Sequence, residues 1–467
     1  MTAALEQFSF LFDQDGGYLR IPIWGHIPLT NGVRRIIEHP DFVRLSRIRQ
    51  LGLVHYVFPG ACHTRFEHSV GTYYLSTLML RSLVLNQTNW TSPSQPMITP
   101  EEARIFLAAA LLHDIGHYPF AHLVDRLPDP ITGGMAFDSH EDRANAYILG
   151  DRKPGSIYSI LQDEWGISDP ERVAEVIAEP RTSGLPGKML SGILDPDKMD
   201  YLMRDAWGCG VPYGNIDTDR LIESLVVDAG RLGITEKGVA PLESLIFAKY
   251  MMFRHIYWHH AVRIAFAMLT RFVQDSLDAG TVHPEDFYRL SDDSLVENLA
   301  SMSAKVPSAP LIRDMQSRRL YKRGLTLYPE HAVGEAEFAI TGRELESVKE
   351  LYRSPVLRCE KEIAICRMLG TAEKLDLRGH EVLLDIPRIS SVFDLDDFGE
   401  LRVLVTPQSG DKDVFLPFNS QGFSQLTAGF AQEFERYSRR VQVICRPDIR
   451  EAVRRHADEI RTLVTAD

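Results

Sequence analysis

The sequence predicts a mainly α protein in two parts: a large helical core over residues 1–280, opened by short strands, and a smaller α+β C-terminal lobe over 281–467. Three observations carry this. From residue 31 to about 278, apolar residues recur at spacings of three and four, the period of a helix with a buried face. Capping residues mark helix starts inside that stretch. Beyond about Val282 the pattern changes, and short β-branched runs alternate with amphipathic ones.

Residues 8–29 read as short strands or a hairpin, with Gly16-Gly17 as a turn. After Arg65, the set His68, Val70, Tyr74, Leu75 and Leu78 keeps helical period. Thr99-Pro100-Glu101-Glu102 supplies an N-cap, a proline at the first helical position and a capping-box glutamate. Ile105, Ala108, Leu111, Leu112 and Ile115 follow, so His113-Asp114 fall near the end of a buried helix. A loop over 128–134 leads to a helix start at Ser139-His140-Glu141-Asp142. A break over 180–187 precedes Asp195-Pro196, which starts a helix on which Asp197, Tyr201 and Asp205 share one face. The run 241–276 predicts mostly buried helix, with Lys249, Phe253 and Tyr257 on one stripe. In the second part, 382–384, 401–405 and 441–444 are strand-like, 424–439 and 448–464 are amphipathic helices, and acidic 394–397 is a solvated loop.

Composition narrows the function classes. Five cysteines, an odd number without paired ligand spacing, read as free thiols of a reducing compartment. No basic then apolar leader follows Met1, and no apolar run is long enough to span a bilayer, so a cytoplasmic protein without a membrane partner is expected. A formal net charge of −13 argues against a general nucleic-acid coat.

Three strings carry the chemistry: Thr64-Arg65-Phe66-Glu67-His68-Ser69, Leu111-Leu112-His113-Asp114-Ile115-Gly116-His117 and Asp195-Pro196-Asp197-Lys198-Met199-Asp200-Tyr201. Within them His68, His113, Asp114 and Asp197 form an imidazole and carboxylate set presented by helices. That set suits Mn²⁺, Fe²⁺, Ni²⁺ or Zn²⁺ better than Ca²⁺, which prefers oxygen alone, and a second ion, Mg²⁺, is compatible with it. Four protein ligands leave room on an octahedral ion for water and a phosphate oxygen, the setting in which a metal polarises a phosphoryl group. Arg65 and Lys198 are the nearby cations for a polyphosphate, and His117, His122 and His140 are the available proton donors. Each piece alone has a plainer reading: a buried His113-Asp114 pair, a core Tyr257, a snorkelling Lys249.

The three strings in this order resemble the HD-domain superfamily of metal-dependent phosphohydrolases. More closely, the chain resembles the deoxynucleoside triphosphate (dNTP) triphosphohydrolases of the sterile-alpha-motif-and-HD-domain type and their bacterial relatives. The likeness runs from about Ile21 to about Arg263 and includes Gly25-His26-Ile27, Gln50-Leu51-Gly52 and Tyr56-Val57-Phe58-Pro59-Gly60-Ala61. It implies a helical HD-domain core and a homo-oligomer, dimer or tetramer, with the C-terminal lobe serving assembly or regulation. It implies that a dNTP is cleaved to deoxynucleoside and triphosphate, with His140, Glu141 and His122 catalytic or on the substrate, His117 near the phosphates and Asp125 supporting a histidine. By the same likeness Gln50 and Asp205 read the sugar 3′-hydroxyl, Arg65 and Lys198 bind phosphates, and Tyr201 and Tyr257 pack on the sugar. Lys249 stands where the family has a phosphate-binding arginine. The positions that read guanine in vertebrate effector sites fall at Glu38, Val43 and Ser46, which argues against guanine-nucleotide activation of that type. Two other readings stand beside this one: an HD phosphohydrolase of nucleoside monophosphates, alarmones or nucleic-acid ends, and a catalytically silent nucleotide sensor.

Overall fold

Helix caps and a buried polar seam build the core of the computed structural model, which describes residues 6–85, 98–228, 230–303, 306–329, 339–340, 342–386, 401–405, 414–420, 422–424, 429 and 440–466. An antiparallel hairpin, β1 (Tyr18–Ile21) and β2 (Gly25–Pro28), opens the chain, with Ile21 opposite Gly25. Its own turn is Pro22-Ile23-Trp24, and the expected turn at Gly16-Gly17 forms just ahead of β1, where Gly17 N–H bonds Gln14 O at 3.1 Å. Ile23 takes a left-handed φ of 75°, and the two glycines close the open end, where Gly16 N–H bonds Leu29 O at 2.9 Å and Leu29 N–H bonds Gly17 O at 2.8 Å.

Helix α1 (Arg65–Leu85) starts where the Glu67 carboxylate accepts the Thr64 N–H at 2.9 Å. It is buried on nearly every side, and two of its hydroxyls are absorbed locally, Ser76 donating to Thr72 O and Thr77 to Tyr73 O. Helix α2 (Pro100–Leu112) carries the capping box as expected, Thr99 with Glu102, and packs along α1. It ends at Leu112, which leaves His113 and Asp114 just past the last turn. The short α3 (Ala121–Val124) follows, then α4 (His140–Leu149), capped by Ser139 accepting the Asp142 N–H, and α5 (Pro196–Cys209), capped by Asp195 and packed on α1. Within the expected break over 180–187, helix already resumes at Gly184–Leu190.

Two departures interrupt the helical stretch. Strands β3 (Leu225–Asp228) and β4 (Arg231–Thr235) form a hairpin around Gly230, whose φ of 74° fits a tight turn, and the β-branched Val226-Val227 favours extension there. The expected long helix over 241–276 is two: α6 (Val239–Met252) runs into one π-helical turn, Phe253–Tyr257, and α7 (His260–Asp278) restarts with the His259 ring as its cap.

The later part mixes strands and helices as expected. Strands β5 (Lys322–Pro329) and β6 (Ala339–Ile340), helix α8 (Pro355–Glu373), and strands β7 (Val382–Asp385), β8 (Arg402–Val405), β9 (Val414–Pro417) and β10 (Val441–Cys445) lead to Arg450–Arg455 and Ala457–Thr465, two helices where one was expected over 448–464. The strands make two sheets, ordered β6-β5-β10-β7 and β3-β4-β8-β9, and in the second β8 lies parallel to β4. One apolar cluster takes in Leu53, Phe272, Val282, Leu383 and Ile444, so packing is continuous across residue 280. The expected loop 394–397 and, apart from 424 and 429, the expected helix 424–439 lie outside the described residues. Among the described residues no helix is long and apolar enough to cross a membrane.

Candidate metal centre

His68, one turn into α1, and His113-Asp114, at the end of α2, face the first turn of α5, where Asp197 sits. His68 Nε2 lies 3.2 Å from His113 Nε2, 2.9 Å from Asp197 Oδ1 and 3.9 Å from Asp114 Oδ2. His113 Nε2 lies 3.6 Å from Asp114 Oδ1 and 3.7 Å from Asp197 Oδ1. Ligand atoms of His68, His113 and Asp114 are all within 4.8 Å of one another, a cluster able to hold a metal ion. Ligands at about 2.1 Å from a shared ion and at right angles to each other stand about 3 Å apart, so the spacing fits.

Tautomers strengthen that fit. His68 Nδ1 donates to Asp200 Oδ2 at 2.8 Å and His113 Nδ1 donates to Ala110 O at 2.9 Å. Both Nε2 lone pairs therefore point at each other, which repels unless a cation or a proton lies between them. Burial disfavours charge on His68, but hydrogen bonds to Asp197 and Asp200 outweigh it, and the ring is raised to about 10. Burial would likewise raise Asp114, yet Arg65, His117 and His113 hold it well below the usual carboxylate range. Asp197 is the open edge of the cluster, its side chain 32% exposed.

Behind the ligands stands a network that the sequence did not reveal. Asp200, buried at the core of α5, takes His68, both Arg204 Nε and Nη2 at 2.8 Å, and the Trp24 indole N–H from the hairpin turn. Arg204 and His68 hold Asp200 at about 2 against the effect of burial. Only glycine fits opposite: a Cβ at Gly71 would stand 1.9 Å from Asp200 Oδ1. The signal was present in the spacing, since Asp200 is three residues after Asp197 and four before Arg204, but such a pair reads as a surface ion pair.

The candidate acids gather on one side. His117 donates Nε2–H to Asp114 Oδ1 at 3.1 Å and stacks on His140 with ring centroids 4.1 Å apart, while His122 meets the two rings at 4.8 and 5.2 Å. Burial and Arg65 push His117 well below its ordinary pKa. Burial also lowers His140, with Glu141, 3.2 Å from its Nε2, and Asp114 pulling the other way. Asp125 adds its negative field at His140. Gly116 sets how closely α4 approaches: a Cβ there would stand 1.8 Å from His140 O and 2.5 Å from Ala144 N. Arg44, another residue missed, ties this segment down by donating to the carbonyls of Ile115 and His117.

The remaining candidates surround the same centre. Arg65 Nη1 bonds Asp114 Oδ2 at 2.7 Å, and Lys198 pairs with the buried Asp195. Asp205 accepts one hydrogen bond on each oxygen, from His63 Nε2 at 2.7 Å and from the Tyr257 hydroxyl at 2.6 Å, which leaves acceptor capacity on both. Burial, with Asp205 and Tyr201 nearby, keeps that hydroxyl well above the usual phenol pKa, so it stays a donor. Among the described residues Gln50 Oε1, a buried acceptor, has no hydrogen-bond partner. The Lys249 ammonium lies 6.0 Å from the Phe253 ring centroid, and that ring is 4.8 Å from Tyr257.

Comparison with known proteins agrees with this geometry. The HD-domain family model matches residues 65–178, and the HD-associated-region model matches 216–397, so Asp197 lies between the two matches. An uncharacterized protein of Methanocaldococcus jannaschii is 32% identical over 312 residues, 66% of this chain and 59% of that one. An uncharacterized protein of Bacillus subtilis is 33% identical over 266 residues, 56% of this chain and 57% of that one. Human deoxynucleoside triphosphate triphosphohydrolase SAMHD1 is 27% identical over 346 residues, 64% of this chain and 54% of that one. The matched stretch thus spans less than two thirds of these relatives. The fold is shared with a hypothetical protein from Aquifex aeolicus, at 24% identity and a TM-score of 0.66, covering 94% of this chain and 99% of that one. The chain is an HD-domain protein resembling the SAMHD1-type dNTP triphosphohydrolases and their bacterial relatives.

Proposed function

We propose that the chain is a metal-dependent phosphohydrolase that cleaves a dNTP to deoxynucleoside and inorganic triphosphate by attack at the α-phosphorus. The observation that carries this reading is the convergence of His68, His113, Asp114 and Asp197 beside the stacked His117 and His140 rings. The four ligands would hold Mn²⁺ or a similar transition ion, which when bound polarises a phosphoryl oxygen and makes water a better nucleophile. Arg65 and Lys198 offer positive charge to the phosphate chain, each beside a carboxylate that fixes its position. His140 protonates the departing 5′-oxygen. Its lowered pKa belongs to the empty pocket, and the negative triphosphate reverses that balance, charging the ring when its proton is needed.

Sugar selection rests on a second group. Gln50 Oε1 accepts the 3′-hydroxyl, and Asp205, oriented by His63, shares it. Tyr257, pinned by its bond to Asp205, covers the sugar face and leaves no room for a 2′-hydroxyl. The lobe over 281–467 is assigned to assembly or regulation. Incubating metal-loaded protein with a panel of dNTPs and ribonucleotides, followed by chromatography, tests the reading. Deoxynucleoside and tripolyphosphate are the expected products. Monophosphate and pyrophosphate, or equal turnover of dNTP and ribonucleotide, would overturn it in favour of a broader HD phosphohydrolase.

A further inference from the structure

A cavity of about 320 Å³ lies apart from the metal ligands, between α3, α7, α8 and β7. Of the candidate catalytic residues, His122 and Asp125 line it. In all, four arginines and three carboxylates, Asp125 among them, face it, one positive charge in excess. Two of the arginines are spent. Arg263 grips Asp385, and Arg271 binds Glu362, Asp275 and the Gly379 carbonyl. The other two, Arg358 and Arg126, are held more loosely among the described residues.

Arg358 sits in the first turn of α8, and its natural partner would be Glu362, one turn along the same helix. That partner is taken. Glu362 is 3% exposed, its Oε2 holds Arg271 and its Oε1 accepts the Leu384 N–H at 2.8 Å. Among the described residues Arg358 makes no ion pair, although it is half buried and lines the cavity. Arg126 lies over the Tyr352 ring at 5.2 Å and comes no closer than 3.9 Å to Asp125. A third group with capacity left is Gln274, 3% exposed, whose Nε2 donates to Asp278 while its Oε1 is buried without a partner among the described residues. The first turn of α8 lines the same space through Pro355, Arg358 and Cys359, adding the positive end of a 19-residue helix.

We propose that this cavity is a binding site for a small phosphate-class oxyanion, separate from the metal centre. Guanidinium forks match phosphate oxygens two at a time, which favours a multiply charged tetrahedral anion over a lone carboxylate. Gln274 Oε1 accepts the O–H of a protonated phosphate or of a bound water. Free phosphate and an oligophosphate released by hydrolysis share this chemistry, and the site stands on the cavity whether or not the chain is a dNTP hydrolase.

Calorimetry on the full chain loaded with Mn²⁺, titrated separately with phosphate, pyrophosphate and tripolyphosphate, tests it. The expected result is a class of binding that survives Asp197→Ala and is weakened about tenfold or more by Arg358→Glu, and in the same direction by Arg358→Gln and Arg126→Ala. Tripolyphosphate binding far tighter than phosphate assigns the site to a hydrolysis product, and comparable binding assigns it to free phosphate. Binding that vanishes in Asp197→Ala and is unchanged in both Arg358 variants overturns the proposal, as does no binding to the wild type. Matching thermal melts of Arg358→Gln and wild type exclude a folding cause. Because the readout is binding, its failure is distinguishable from failure of the hydrolase reading.

Discussion

Replacing Asp200 with alanine removes the acceptor of four hydrogen bonds in one step: from His68, from Trp24 and twice from Arg204. Arg204, with a side chain 0% exposed, then loses the only carboxylate it hydrogen-bonds among the described residues and keeps just the more distant fields of Glu67 and Asp205. Breaking such a pair costs about 3–5 kcal/mol of stability. Independently, the His68 ring loses the carboxylate that holds its tautomer, which lowers metal affinity by about 10–100-fold. The two effects separate in a second variant, Asp200→Leu with Arg204→Met, where both charges leave together. Its stability should return most of the way to wild type while metal affinity stays low. Urea unfolding of metal-free protein reads the first quantity, since bound metal would itself stabilise the fold, and chelator competition reads the second. Wild-type metal affinity in either variant would refute the argument that Asp200 orients His68.

Changing Asp197 to alanine, or both His113 and Asp114, should abolish bound metal and turnover together, as read by elemental analysis after gel filtration. His140→Ala should keep metal content and lower kcat by about 10²–10⁴-fold, the usual worth of a positioned proton donor; unchanged turnover would make His140 structural. Tyr257→Ala should retain metal but move the ratio of kcat/KM for a dNTP over its ribonucleotide towards one. Asp292 offers a pH test: burial raises it to about 6 from about 3.8, so the folded state holds its proton more tightly than the unfolded chain. Its contribution is therefore complete below about pH 4 and lost as pH rises through about 6. Asp292→Asn, which keeps an acceptor for the Arg49 N–H, should flatten that fall in stability, measured by denaturant midpoints across pH 4–7.

Much of the centre was legible because its ligands sit in consecutive strings on helices whose caps and apolar periods are themselves readable. Thr99 with Glu102 and the cap at Asp195 place His113, Asp114 and Asp197 before any tertiary contact is known. What escaped depends on contacts across the chain. His68 and Asp200 are 132 residues apart, His63 and Asp205 are 142 apart, and neither pair leaves a local pattern. The turn at Gly16-Gly17 was legible, but the hairpin's own turn escaped because Ile23, a β-branched residue, takes a positive φ that propensity denies it. The break between α6 and α7 escaped because a π turn does not interrupt an apolar run. The β3–β4 hairpin hid inside helical spacing, and pairing with distant β8 helps hold it extended.

Gly116 gives the centre an unusual point of failure. The carbonyl of the candidate acid rests where a side chain would begin, so the spacing between the two halves of the machinery is set by an atom that is missing. One methyl group would act as a wedge, lifting the start of α4 while leaving His113 and Asp114 seated on α2. A displacement near 1 Å is enough to lose about a hundredfold in rate. A chain altered only there would keep every candidate ligand of the ion, yet carry its candidate acid out of place.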